Sequence, residues 1–107
     1  LILVEGSLAE LPARLTDAAR LHAKERIGVM LPAELALSKF ESPLRGAAEF
    51  AWGHWKVTEE LAERLYAGLR ALDAEGCTVI LCPLPAAEGV GVAIRDRLRK
   101  AAYSAGD

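Results

Sequence analysis

The chain has 107 residues, a length that supports one hydrophobic core and is too short for two. Its 52% apolar and 26% charged composition is that of a globular domain, and a formal charge of −2 offers no general attraction for nucleic acid or anionic lipid. Apolar runs such as Val79-Ile80-Leu81-Cys82 are too short to span a bilayer, and no secretory leader is readable at the amino terminus. The only methionine is Met30, so the chain is expected to be a piece of a longer protein. Charge is unevenly spread: residues 1–88 carry nine basic and thirteen acidic side chains, whereas residues 89–107 carry four and two. A basic last helix complementing its own dipole accounts for this split, and a basic binding patch is the alternative.

Leu1-Ile2-Leu3-Val4 reads as a strand buried on both faces, as in parallel sheets, and Glu5-Gly6-Ser7 ends it. Ser7 and Glu10 have the spacing of a capping box. The helix that follows carries Leu8, Leu11, Leu15, Ala18 and His22 on one stripe, and Pro12 argues for a start a few residues late. Arg26 to Leu31 predicts a second strand, closed by Pro32. Residues 33–47 are ambiguous between a short helix over Ala33 to Phe40 and turns at Ser42-Pro43 and Gly46. Glu49 to Trp52 predicts a shorter, more exposed third strand.

Thr58 is a suitable N-cap for a helix to about Asp73, with Leu61, Leu65, Leu69 and Leu72 inward and a Glu60–Arg64 pair outside. Gly76 stops that helix, and Thr78 to Cys82 reads as the fourth strand. After a rigid loop containing Pro83, Pro85 and Glu88-Gly89-Val90-Gly91, a last helix puts Ile94, Leu98 and Ala101 inward. Arg95, Arg99 and Lys100 are expected on its outside.

This alternation predicts an α/β three-layer sandwich around a mainly parallel four-stranded sheet. Short right-handed connections favour the order 3-2-1-4. The crevice between strands one and four would be lined by Glu5, Gly6 and Ser7 against Cys82, Pro83 and Leu84. Cys77 and Cys82 lie five residues apart along a strand, so their Cα atoms would be roughly 16 Å apart, too far for a disulfide. Free thiols fit a reducing, cytoplasmic compartment.

No catalytic, cofactor-binding or metal constellation emerges. After the first strand only Gly6 is available for a dinucleotide fingerprint, and Gly89 and Gly91 are followed by Ile94 where the pattern needs a small residue. A helix starting there could face an anion, while a tight turn with close packing explains the same glycines. His22 and His54 have no partner in a nucleophile motif. Phe50, Trp52 and Trp55 have few basic neighbours and suit packing better than base stacking. Glu59, Glu60 and Glu63 read as a solvated first turn. Gly6, Ser7, Gly89, Gly91, Asp96 and Arg97 are the candidate residues for facing an anion or another domain. Asp96 and Arg97 lie off the apolar stripe of Ile94 and Leu98, so the core does not require them.

Leu65-Tyr66-Ala67-Gly68-Leu69-Arg70-Ala71-Leu72-Asp73 resembles a helix of the carboxy-terminal domain of long-form threonylcarbamoyl-AMP synthases. Glu88 to Ala102 is similar to that domain's closing signature, a glycine-x-glycine turn and a helix ending Arg-Leu-x-Lys-Ala-Ala. Leu1 to Ser7 and Arg26 to Val29 fit as well, and residues 33–47 depart most. The resemblance implies one Rossmann-like accessory domain over residues 1–107, with catalytic domain and linker lying outside it. It further implies that the parent enzyme joins threonine, bicarbonate and ATP into threonylcarbamoyl-AMP for modification of tRNA adenosine 37. In that reading this domain binds no cofactor, while ATP belongs to the parent. Its partners are the amino-terminal catalytic domain and the tyrosine-proline linker, with tRNA-modification proteins as a further class. A stand-alone nucleotide- or anion-binding module, or a protein- or tRNA-interaction domain, is the alternative.

Overall fold

In the computed structural model the backbone of residues 1–105 and the side chains of residues 1–102 are described. Four strands, β1 (Ile2–Val4), β2 (Ile27–Pro32), β3 (Ala48–Gly53) and β4 (Val79–Pro83), form one parallel sheet. Three helices connect or follow them: α1 (Leu11–Leu21), α2 (Thr58–Ala74) and α3 (Val90–Ala105). The fold is α/β, as expected, and the strand order corrects the expectation: it is 1-4-2-3, with β4 inserted between β1 and β2. β1 still pairs with β4, and β2 with β3. The reason is burial. β2 is buried along its whole length and β4 nearly so, and such strands belong in the middle, whereas three-residue β1 is only partly covered and lies at an edge with β3 opposite.

Alternation along the central strands divides the core. Ile27, Val29, Leu31, Val79 and Leu81 face α1, meeting Leu11, Leu15 and Ala19. Met30 and Cys82 face α2 and α3, meeting Leu61, Leu65, Leu72, Ile94 and Leu98. Val29 is fully buried in the sheet, and Leu3 and Ile80 are partly so. Leu69 proves only half-buried on α2, and Gly68 takes the inward position, where a Cβ would lie 2.5 Å from Met30 Cε.

Helix α1 enters late. Ser7 and Glu10 make their reciprocal bonds, Ser7 N–H to Glu10 Oε1 at 2.8 Å and Glu10 N–H to Ser7 Oγ at 3.3 Å, around a turn ahead of the helix. Pro12 then falls in the first turn, where its missing N–H costs nothing. Residues 33–47 form no α-helix; they hold two 3-10 turns, Leu37–Lys39 and Leu44–Gly46, that bury Leu37 and Leu44 against the α1 face. Thr58 is the first helical residue of α2, with Val57 rather than Thr58 at the cap.

The outer end of the sheet is held by polar contacts. Between Leu31/Pro32 and their partners Ala51 and Gly53 the register shifts, leaving Trp52 without a counterpart. Pro32 brings no N–H to this part of the ladder. Arg64 supplies donors instead: its Nε reaches the carbonyls of both Ala51 (3.2 Å) and Trp52 (3.1 Å), and Nη2 reaches Ala51 at 2.8 Å. The anticipated Glu60–Arg64 pair is therefore replaced, and Glu60 lies beside His54 Nδ1 at 3.4 Å.

Candidate functional site

All four strands run the same way, so their carboxyl ends share one edge of the sheet, where α/β domains place their ligand crevices. The loop leaving β1 turns toward the α1 face and the loop leaving β4 toward the α3 face, which opens a gap between them. A cleft of about 1000 Å³ occupies it. Ser7 stands on one wall, Glu88 and Gly89 on a second, and Trp55, Lys56 and Thr58 on a third.

The third wall is the part that sequence reasoning missed. It is the corner between β3 and α2, and its signal was available: a loop after a parallel strand must end at the same edge as the others. The corner is firmly built. Trp52 is fully buried and its indole N–H donates to the Leu61 carbonyl at 2.9 Å. The Trp55 ring meets it edge-on at 6.3 Å, and the Trp55 backbone N–H donates to the Glu34 carboxylate at 3.0 and 3.1 Å. Phe50 lies beneath the Arg64 guanidinium, 4.9 Å from ring centre to Cζ. These aromatic residues are thus occupied in packing.

The Gly89–Gly91 turn is equally committed. Gly89 has φ +53°, and a Cβ on Gly91 would lie 2.1 Å from the Ala86 carbonyl oxygen, so only glycine fits there. Gly91 N–H donates to the Glu88 carbonyl (2.9 Å) and Val92 N–H to the Gly89 carbonyl (3.2 Å). With those donors engaged and the Glu88 carboxylate on the cleft wall, this helix start is poorly suited to an anion.

The candidate residues separate into two groups. Ser7 and Gly89 share the cleft, with Gly6 in the bend before Ser7 and Gly91 in the first turn of α3. Asp96 and Arg97 lie further along α3 on its exposed side. Asp96 pairs with Lys100 at 3.1 Å, and no ion pair among the described residues includes Arg97. The side chain that joins the two loops is Arg95. It donates to the Pro85 carbonyl at 3.0 Å and to the Glu5 carboxylate, which Arg99 also approaches at 3.7 Å. Three of the four basic side chains of α3 thus face carboxylates within the domain, Arg95 and Arg99 sharing Glu5 and Lys100 pairing with Asp96, which weakens the reading of a basic binding patch. The Ser7 backbone and hydroxyl hydrogen bonds to Glu10, then the nearby Arg14 charge, hold its carboxyl below the ordinary value of 4.5. Burial pushes the thiols of Cys82 and, less strongly, Cys77 upward, and both are free. Among the described residues, no three His, Cys, Asp or Glu side chains converge as a metal site, and no helix is long and apolar enough to cross a membrane.

Comparison with known proteins accounts for this domain as a whole. No curated protein matches it. A Sua5 protein of P. abyssi, solved as a double alanine variant, contains the same fold with a TM-score of 0.72 and 27% identity. The match covers 94% of this chain and 26% of that one, so the chain spans about a quarter of that protein's length. The C-terminal Sua5 domain of a hypothetical Sua5 protein from Pyrococcus horikoshii matches with a TM-score of 0.64 and 25% identity, over 90% of this chain and 85% of that one. The family model for the C-terminal domain of threonylcarbamoyl-AMP synthase matches residues 1–103. With nearly the full length matched, the chain belongs to the family of threonylcarbamoyl-AMP synthase C-terminal domains.

Proposed function

We propose that the chain is a non-catalytic accessory domain of a cytoplasmic threonylcarbamoyl-AMP synthase. It supports formation or release of threonylcarbamoyl-AMP, made from threonine, bicarbonate and ATP, for modification of tRNA adenosine 37. The observation that carries this reading is the family match over residues 1–103, joined to the quarter-length share of the P. abyssi protein. ATP is bound and activated by the rest of the parent enzyme, and this domain contributes no cofactor site. Its partners are the catalytic domain and the linker between them. Arg97 is the side chain proposed for that contact, because it is exposed, charged and outside every ion pair of the described residues.

Two measurements test the proposal. The purified chain, incubated with threonine, bicarbonate and ATP, is expected to release no pyrophosphate above background; turnover would overturn its non-catalytic role. In the full-length enzyme Arg97→Ala is expected to lower formation or release of the intermediate while the domain stays folded. Full activity in that variant would remove Arg97 from the function.

A further inference from the structure

β3 forms one margin of the sheet: among the described residues it pairs with β2 and has no strand on its other side. An open margin is a template on which another extended chain can add, and the inward pattern of Ala48, Phe50 and Trp52 gives this strand the apolar character that favours it. Three features oppose such pairing. Glu49 stands exposed on the strand. Opposite Pro32 the strand bulges, which breaks the regular spacing of its hydrogen-bonding groups. Arg64 holds two successive carbonyls, Ala51 and Trp52, with its guanidinium lying over the Phe50 ring.

We infer that Arg64 closes the margin of β3 against strand addition by a second copy of this chain. The guanidinium occupies acceptors that an incoming strand requires and places a positive charge where that strand would lie. Arg64→Met keeps an unbranched aliphatic side chain and removes the donors and the charge. At a temperature where circular dichroism shows the variant folded, sedimentation velocity should reveal self-association at least about tenfold tighter than in the native chain, the scale of a hydrogen bond to the backbone. In the associated form the amides of residues 48–53 should exchange more slowly. A folded, monomeric variant overturns the inference, as does association that protects other elements and leaves these amides unchanged. A second measurement does not depend on the variant. A peptide of residues 48–53 should not bind the native chain, and its binding there would show the margin to be open.

Discussion

The two faces of the sheet are covered by different material. On one side lie two long helices, α2 with 17 residues and α3 with 16. On the other lie the 11-residue α1 and two 3-10 turns that contribute Leu37 and Leu44. The long-helix face is held by side chains bonded to backbone across elements, through Trp52, Arg64 and Arg95. The turn-covered face relies mainly on apolar contact. A face made of helices resists the loss of one side chain as a rigid body, whereas a face made of turns can settle into the space.

The largest effect is expected where the rigid face loses most. Trp52→Ala should cost about 3–5 kcal/mol, because it removes a fully buried ring and strands the Leu61 carbonyl contact. Leu44→Ala, equally buried on the turn-covered face, should fall near about 2 kcal/mol, since the 3-10 segment can collapse toward α1. Urea unfolding of both variants checks the contrast, and equal costs would break it.

Next comes the Gly89–Gly91 turn. Gly91→Ala drives a methyl group into the Ala86 carbonyl, a backbone atom that cannot rotate away, and should destabilise by about 1–3 kcal/mol. A stability unchanged from the native chain would show that this loop is softer than its geometry.

Arg95 and Arg97 give a sharper pair. Arg95→Ala loses the contacts with the Pro85 carbonyl and Glu5 and should cost about 1.5 kcal/mol. Arg97→Ala, on the exposed side of the same helix, should stay within about 0.5 kcal/mol in thermal melts. Reversal of that order would mean that Arg97 has a structural partner.

The smallest effect concerns acid. Because the folded domain depresses the Glu10 pKa, this group's contribution is fully present above its unfolded value. It is lost as pH falls through the lower folded value. Ser7→Ala removes the hydroxyl share of that depression, so native and variant stabilities should differ less below about pH 4 than at neutral pH.

Sequence by itself determined the parts governed by local chemistry. Alternating apolar runs and amphipathic stripes placed four strands and three helices, and the Ser7–Glu10 spacing marked the turn that starts α1. Gly76, at φ +83°, ends α2 because few other residues tolerate that backbone. The weaker periodicity of residues 33–47 left them unread, since 3-10 turns have too few residues to show a repeat. Tertiary structure alone decided the strand order, because an apolar run such as Leu1 to Val4 looks the same at an edge covered by two helices as in the centre. It also decided which arginines matter. Arg64, Arg95 and Arg97 all read as surface charges on a helix, and only the fold brings the first to a strand bulge and the second to Glu5 while leaving the third exposed. Local sequence governs backbone preference within one element, whereas partners separated by up to 90 residues become neighbours only when the sheet assembles.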